Sequence, residues 1–228
     1  RYPINITKTN TSQNNSLTNG LVGLWSFDGK DMAGVTAYDR SGSGNNGTLT
    51  NGPTRVIGKL GQALRFDGTD DYVDGGNASS LQITSSLTLS AWVYPTASMG
   101  NNAIVGKYTE SGALGYQLYI TGGALVPRFY ASDGSGDNVS SSILLKLNQW
   151  NHIVGVYDGS TKRIFINGVE GGSNAQTALS SAGSTNFTIG TYNLGGARTS
   201  FQGPIDDTRV YNRALSPAEI KQLYNQGR

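Results

Sequence analysis

The chain has 228 residues, 36% of them hydrophobic and only 14% charged, with 32 Gly; the length supports one sizeable core, and the Gly-rich, charge-poor mixture favours short strands and many turns. A formal net charge of +2, carried by scattered Lys and Arg, offers no basic stripe and argues against nucleic acid or an anionic membrane as a partner. There is no Cys, which excludes disulfides and thiolate chemistry, and no apolar run is long enough to insert directly into a membrane.

Residues 1–19, rich in Thr, Asn and Ser, read as a polar linker or arm ahead of a domain at 20–228. No charged-then-apolar leader opens the chain, so an export signal or anchor is expected outside these residues. Leu21 to Phe27 is apolar and aromatic, suits a buried first strand, and stops at Asp28-Gly29. The loop Asp39 to Gly47 places Ser, Gly and Asn behind one acid, giving a tight, oxygen-rich turn. Gln62–Phe66 and Asp71–Asp74 are expected to form a hairpin through Asp67-Gly68-Thr69-Asp70. LTLSAWVY, 87 to 94, alternates cleanly and is ended by Pro95, which marks a long central strand.

Further strands are expected at Ala103–Lys107, Tyr116–Ile120, Leu125–Tyr130 and Val139–Ile143. A hairpin joins Asn151–Tyr157 to Arg163–Ile166, with Asn167-Gly168 as a second turn. Thr188-Ile189-Gly190 and a closing strand from Ile205 complete the set. Ser216-Pro217-Ala218-Glu219 carries an N-cap Ser, a Pro at the first helical position and a Glu placed to reach back, so one short C-terminal helix follows, with Ile220, Leu223 and Tyr224 on its apolar face. The fold class is all-β, a two-sheet antiparallel jelly-roll sandwich.

Six stretches in order, GLVGLWSFD (20–28), DRSGSGNNGTL (39–49), GQALRFDGTDDYV (61–73), LTLSAWVYP (87–95), QWNHIVGVYDGSTKRIFING (149–168) and GPIDDTRVYNRALSPAEI (203–220), make residues 20–228 resemble the bacterial laminin G-like domains of the concanavalin A-like lectin/glucanase superfamily. The resemblance implies a jelly roll with one concave sheet, a structural calcium, and a place as an accessory module in a larger secreted or surface protein. It also implies a metal where the first and last strands meet, which carries Asp28 and Asp206 over as ligands.

Calcium takes six to eight oxygens from carboxylates and carbonyls, and Asp28, Asp39, Asn45 and Asp206 offer that chemistry, although Asp beside Gly or Ser also satisfies turn backbones. Strand alternation puts Asp206 with Thr208 and Val210, and Asp207 with Arg209. A buried Asp206 then needs a cation or donors, whereas Asp207 pairs with Arg209. Asp67, Asp70, Asp71 and Asp74 form a second acidic cluster, read as a solvated turn or another cation or sugar site.

No catalytic residue is assigned. Glu110, Glu170 and Glu219 stand far apart, so the paired-carboxylate motif of the superfamily's glucanases is missing. His152, the single His, sits mid-strand as a packing residue. Trp25, Trp92 and Trp150 lie in strong strand contexts and read as core. Aromatic and polar side chains outside the six stretches that carry the resemblance are the ligand candidates: Tyr108, Tyr116, Tyr130, Asp133, Asp137, Asn138, Tyr192, Asn193 and Arg198. The expected function is a noncatalytic carbohydrate-binding or adhesive module of a secreted or surface bacterial protein, its partner a glycan or cell-surface ligand. A polysaccharide lyase or glycoside hydrolase on the same fold, and a structural spacer, are the alternatives.

Overall fold

A computed structural model of the protein describes residues 16–97, 100, 102–135, 138–176, 178–194 and 197–228, without the side chains of 193–199. In chain order the strands are β1 (Leu21–Trp25), β2 (Met32–Ala33), β3 (Thr36–Ala37), β4 (Gly47–Thr50), β5 (Thr54–Ile57), β6 (Gln62–Asp67), β7 (Tyr72–Gly76), β8 (Leu87–Val93), β9 (Asn102–Thr109) and β10 (Leu114–Thr121). They continue as β11 (Val126–Asp133), β12 (Val139–Ser140), β13 (Asn151–Tyr157), β14 (Thr161–Ile166), β15 (Val169–Ala175), β16 (Phe187–Ile189), β17 (Thr191–Leu194), β18 (Ala197–Ser200) and β19 (Gln202–Tyr211), before the helix α1 (Pro217–Gln226).

One sheet runs β15-β14-β13-β8-β19-β6-β5, with β1 also on β19; the other runs β12-β11-β10-β9-β16-β7-β4-β3-β2. β17 and β18 make a separate hairpin that lies against β9. The two large sheets enclose the core, as alternation dictates. Leu87, Leu89, Ala91 and Val93 of β8 and Ile205 and Val210 of β19 point inward from the first sheet, while Tyr116, Leu118 and Ile120 of β10 do so from the second. Trp25 stacks on Phe187 with ring centroids 5.0 Å apart.

The Ser216 cap is formed in full, its side chain accepting from Glu219 N–H while Glu219 returns to the cap backbone. The helix then covers the outer face of the first sheet, burying Ile220 and Leu223 against Val154, Val156, Phe165 and Tyr211. Leu17 joins that cluster, and Arg213 donates to the carbonyls of Ser16 and Asn19. Residues 16–19 therefore pack with the domain, while the rest of the expected arm, 1–15, lies outside the described residues.

Three expectations change. β6 pairs with β5 and β19 in one sheet and β7 with β4 and β16 in the other, so residues 67–70 are a corner between sheets and not a hairpin turn. The reason is in the acids: Asp67 N–H donates to Asp71, and Asp67 accepts from Thr69 N–H and Asp70 N–H, which folds the chain back on itself instead of along its neighbour. The strand expected at Val139–Ile143 is confined to Val139–Ser140. In β19 the register shifts between Asp206, opposite Trp92, and Arg209, opposite Ser90, and Asp207 takes φ +45°. That bulge puts Asp206 on the face of Arg209, away from Val210, because an extra residue reverses every later side chain.

Candidate functional site

The outer face of the second sheet follows from its register. Val105, Val73 and Ile189 face the core, so Tyr72, Asp74 and Thr188 beside them, and Tyr108 three residues on from Val105, point the other way. Asp74 lies opposite Thr188, and Thr188 opposite Gly106. These strands, the segment after β9 and the chain leading into β16 border a cavity of about 580 Å3 lined by Tyr72, Asp74, Tyr108, Glu110, Asn186 and Tyr192, with Thr and Ser hydroxyls between them. Pockets of roughly 300–1,000 Å3 suit small ligands.

Tyr108 is the centre of an aromatic group. Its ring meets Tyr130 edge-on at 5.2 Å and Tyr192 edge-on at 5.5 Å, the arrangement the ring quadrupole favours. Tyr192 and Tyr130 are buried, whereas Tyr108 is half-buried and Tyr72 likewise, which leaves those two rings to meet a ligand. Burial, reinforced by Tyr130 and Tyr192, pushes the Tyr108 phenol up to about 12, so it stays a neutral hydroxyl. Asp74 is fixed by Gly76 N–H and by the Asn186 amide, which donates to both carboxylate oxygens at 2.9 and 3.0 Å.

Behind the wall, Lys107 is turned the opposite way from Tyr108 and is 1% exposed. Its ammonium donates to Asn77 Oδ1 and to the carbonyls of Gly183 and Thr185. Burial among neutral oxygens draws its pKa down to about 8. The contact ties the 183–185 segment, which borders the cavity, to β9.

The structure thus brings together Tyr108, Tyr130 and Tyr192 of the sequence candidates. Tyr116 is withdrawn from the set: it is 1% exposed and its hydroxyl donates to the Leu81 carbonyl in the core, because β10 alternation turns it inward. Asp133 binds Ser135 and Asn138 accepts from Ser140; neither borders the cavity. Asn193 lies opposite Arg198 across the β17–β18 hairpin, their side chains outside the described residues, as is Asp137. Asn186 and Thr188 were missed, and Asp74 was named only within the acidic cluster at 67–74, apart from the tyrosines it joins here. Tyr72-Val73-Asp74 alternation was a usable signal for Asp74, but nothing local marks Asn186.

The four expected calcium ligands are engaged by protein groups. Asp39 accepts from Leu24 N–H, Ser41 N–H, Ser41 Oγ and Asn45 N–H. Asn45 donates to the Val22 carbonyl, and its own carbonyl receives Trp25 Nε1. Asp28 accepts from Gln62 N–H at 2.9 Å, and Asp206 from Lys59 and Leu60 N–H, both at 2.8 Å. Asp28 and Asp206 both reach the turn between β5 and β6, whose peptide N–H groups bind one oxygen of each carboxylate, while Asp206 Oδ1 has no partner among the described residues. Asp207 forms the expected pair with Arg209, at 3.0 and 3.1 Å.

Among the described residues, Asp67, Asp70 and Asp71 form a group that can hold a metal, with one carboxylate oxygen from each within 4.8 Å of the others. Burial, with the charges of Asp67 and Asp70, raises the Asp71 carboxyl, a repulsion a cation would relieve.

His152 is 1% exposed, 2.9 Å from Ser90 Oγ and packed at a tilt against Trp92, ring centroids 4.9 Å apart, and burial draws it down to about 3. It is a neutral packing residue beneath α1. Trp25 and Trp92 are buried, while Trp150 is half-buried and edge-on to Tyr94.

The family model described as the concanavalin A-like lectin/glucanases superfamily (Laminin_G_3) matches residues 67–221. No curated protein matches the chain. Among solved structures, the binding domain of Paraclostridial Mosquitocidal Protein 1 is 19% identical with a TM-score of 0.73, covering 92% of this chain and 53% of its own. This chain therefore spans about half of that one. Domain 4 of AbnA, a GH43 extracellular arabinanase from Geobacillus stearothermophilus, in complex with arabinotriose, is 21% identical with a TM-score of 0.69, over 90% of this chain and 98% of that domain. Trypanosoma rangeli sialidase matches at 18% identity and a TM-score of 0.67, over 90% of this chain but 32% of its own. The matched residues, more than half the sequence, and the antiparallel two-sheet sandwich agree: this chain belongs to the concanavalin A-like lectin/glucanases superfamily.

Proposed function

We propose that this chain is a noncatalytic glycan-binding module, working outside a bacterial cell as one part of a larger secreted or surface protein. One observation carries the reading: the cavity on the outer face of the second sheet combines half-buried Tyr72 and Tyr108 with the fixed acceptor Asp74 and several hydroxyls. Tyrosine rings pack on the apolar face of a pyranose or furanose while carboxylates take its hydroxyl protons. The AbnA domain, bound to arabinotriose and part of an extracellular enzyme, supports the ligand class and the setting. Tyr108→Ala is expected to weaken binding to a responsive oligosaccharide at least tenfold by titration calorimetry, about 1.4 kcal/mol. Equal affinity in a folded variant would reject this site.

A glycosidase is the second reading, because Asp74 and Glu110 both border the cavity and such enzymes need two carboxyls. Sugar release from a polysaccharide panel, abolished by Asp74→Asn and by Glu110→Gln, would establish it. The lyase reading is weaker, since a phenol held at about 12 is a poor general base near neutrality.

The structural calcium belongs at Asp67, Asp70 and Asp71. Bound there, the ion would brace the corner between β6 and β7 by relieving the mutual repulsion of three clustered carboxylates. Added calcium is expected to raise the melting temperature by several degrees through linkage, chelator to reverse it, and Asp70→Asn to remove the response. A melt indifferent to both calcium and chelator sinks the assignment.

A further inference from the structure

The charge of the cavity narrows its ligand. The described lining carries two carboxylates, Asp74 and Glu110, and no Lys or Arg. Asp74 can only accept hydrogen bonds in its ionised form, and Asn186 and Gly76 hold it in place without cancelling its charge. The other polar groups at the wall are neutral hydroxyls, the Tyr108 phenol included. Lys107, on the strand that supplies Tyr108, has its ammonium committed to Asn77, Gly183 and Thr185, so it has no donor to offer a ligand.

We infer that this cavity selects uncharged glycans and rejects sugars that carry a carboxylate, a selectivity that rests on the glycan-binding reading. A neutral sugar brings hydroxyl protons that Asp74 and Glu110 accept. A uronate or sialate brings a charge of the same sign into a partly desolvated site, where like charges disfavour each other and no guanidinium or ammonium among the described lining residues compensates. The choice between the two classes is made by the repulsive element, since the rings pack on either sugar equally.

The test uses matched trisaccharides, gluco, galacto and manno, each as the neutral sugar and as its uronate, titrated into the wild type, Tyr108→Ala and the double variant Asp74→Asn with Glu110→Gln. The expected result is that at least one neutral trisaccharide binds ten times or more tighter than its uronate, and that the double variant closes most of the gap by gaining uronate affinity. Asn and Gln each keep one acceptor oxygen, so the Gly76 contact and one of the two Asn186 contacts can be retained. A uronate that binds as well as its neutral partner, or a gap unchanged in the double variant, overturns the selectivity while leaving the site standing if Tyr108→Ala abolishes binding. Binding that survives Tyr108→Ala, or no binding to any of the six sugars, overturns the selectivity together with the glycan site it depends on.

Discussion

Asp206→Ala is expected to destabilise the protein by about 2–4 kcal/mol, since the fully buried carboxylate is the acceptor for two backbone donors, Lys59 and Leu60 N–H, and each orphaned group costs about 1–3 kcal/mol. The neighbouring glycines show how closely the turn is fitted. A Cβ on Gly58 would come within 2.6 Å of Asp206 Oδ2, and one on Gly61 within 2.0 Å of Asp28 Oδ1. Asp206 Oδ1, by contrast, has no partner among the described residues.

That half-satisfied state gives a pH signature. Burial first, then the charge of Asp207, pushes the Asp206 carboxyl up to about 7 against the backbone donors that oppose it. The folded protein thus keeps the proton where the unfolded chain, near the ordinary 3.8, has lost it. Between those values the folded state binds more protons, and stability falls as pH rises, by on the order of 4 kcal/mol across the window. It is fully present below the unfolded value. Asp206→Asn keeps an acceptor for the turn and cannot ionise. Denaturant melts at pH 5 and pH 8.5 should show the variant gaining on the wild type at the higher pH. A stability difference between the two proteins that does not change with pH would mean that Asp206 is ionised throughout.

The parts of the fold legible in the sequence are those where one residue after another obeys a period. LTLSAWVY reads as a strand because its alternation continues unbroken, and β8 is buried along its whole length. The helix was legible because its cap is local chemistry. Asp206 was flagged as a buried acid, yet its face was misjudged, because alternation fails at a bulge that only the pairing with β8 reveals. The corner at 67–70 was misread for a related reason: a Gly-containing turn between two short strands has the same residue types whether the strands pair or part.

The site was half visible. Tyr108 and Tyr192 stood out as aromatics outside the stretches that carry the resemblance, but so did Tyr116, which differs in the way its strand turns it. Asp28 and Asp206 both reach the turn between β5 and β6 and accept its peptide N–H groups, and in a sequence such donors leave no signature distinct from calcium's taste for acids near glycine. Asp74 and Asn186 are far apart in sequence and meet only through the pairing of β7 with β16.

Gly115→Ala is expected to damage both the fold and the pocket. Gly115 sits opposite Tyr108 in the β9–β10 pair with φ +98°, a conformation that side chains rarely adopt. An added Cβ would come within 2.1 Å of the Lys107 carbonyl and 2.8 Å of Ala182 Cβ. The first contact is with backbone on the partner strand, so no rotamer change relieves it, and the strands must separate. Backbone strain and overpacking together cost on the order of 3 kcal/mol or more. Parting the strands here moves Tyr108 from between Tyr130 and Tyr192 and pulls on Lys107, whose ammonium holds Gly183 and Thr185 near the cavity wall. A melting temperature lowered by 10 °C or so, with oligosaccharide affinity lost below that melt, is the expected result. Gly122→Ala is the control: it also has positive φ, +66°, but nothing lies within 4 Å of its Cβ, so it should cost less and leave binding intact. Equal effects from the two substitutions would assign the loss to backbone conformation alone and remove the steric link between Gly115 and the pocket.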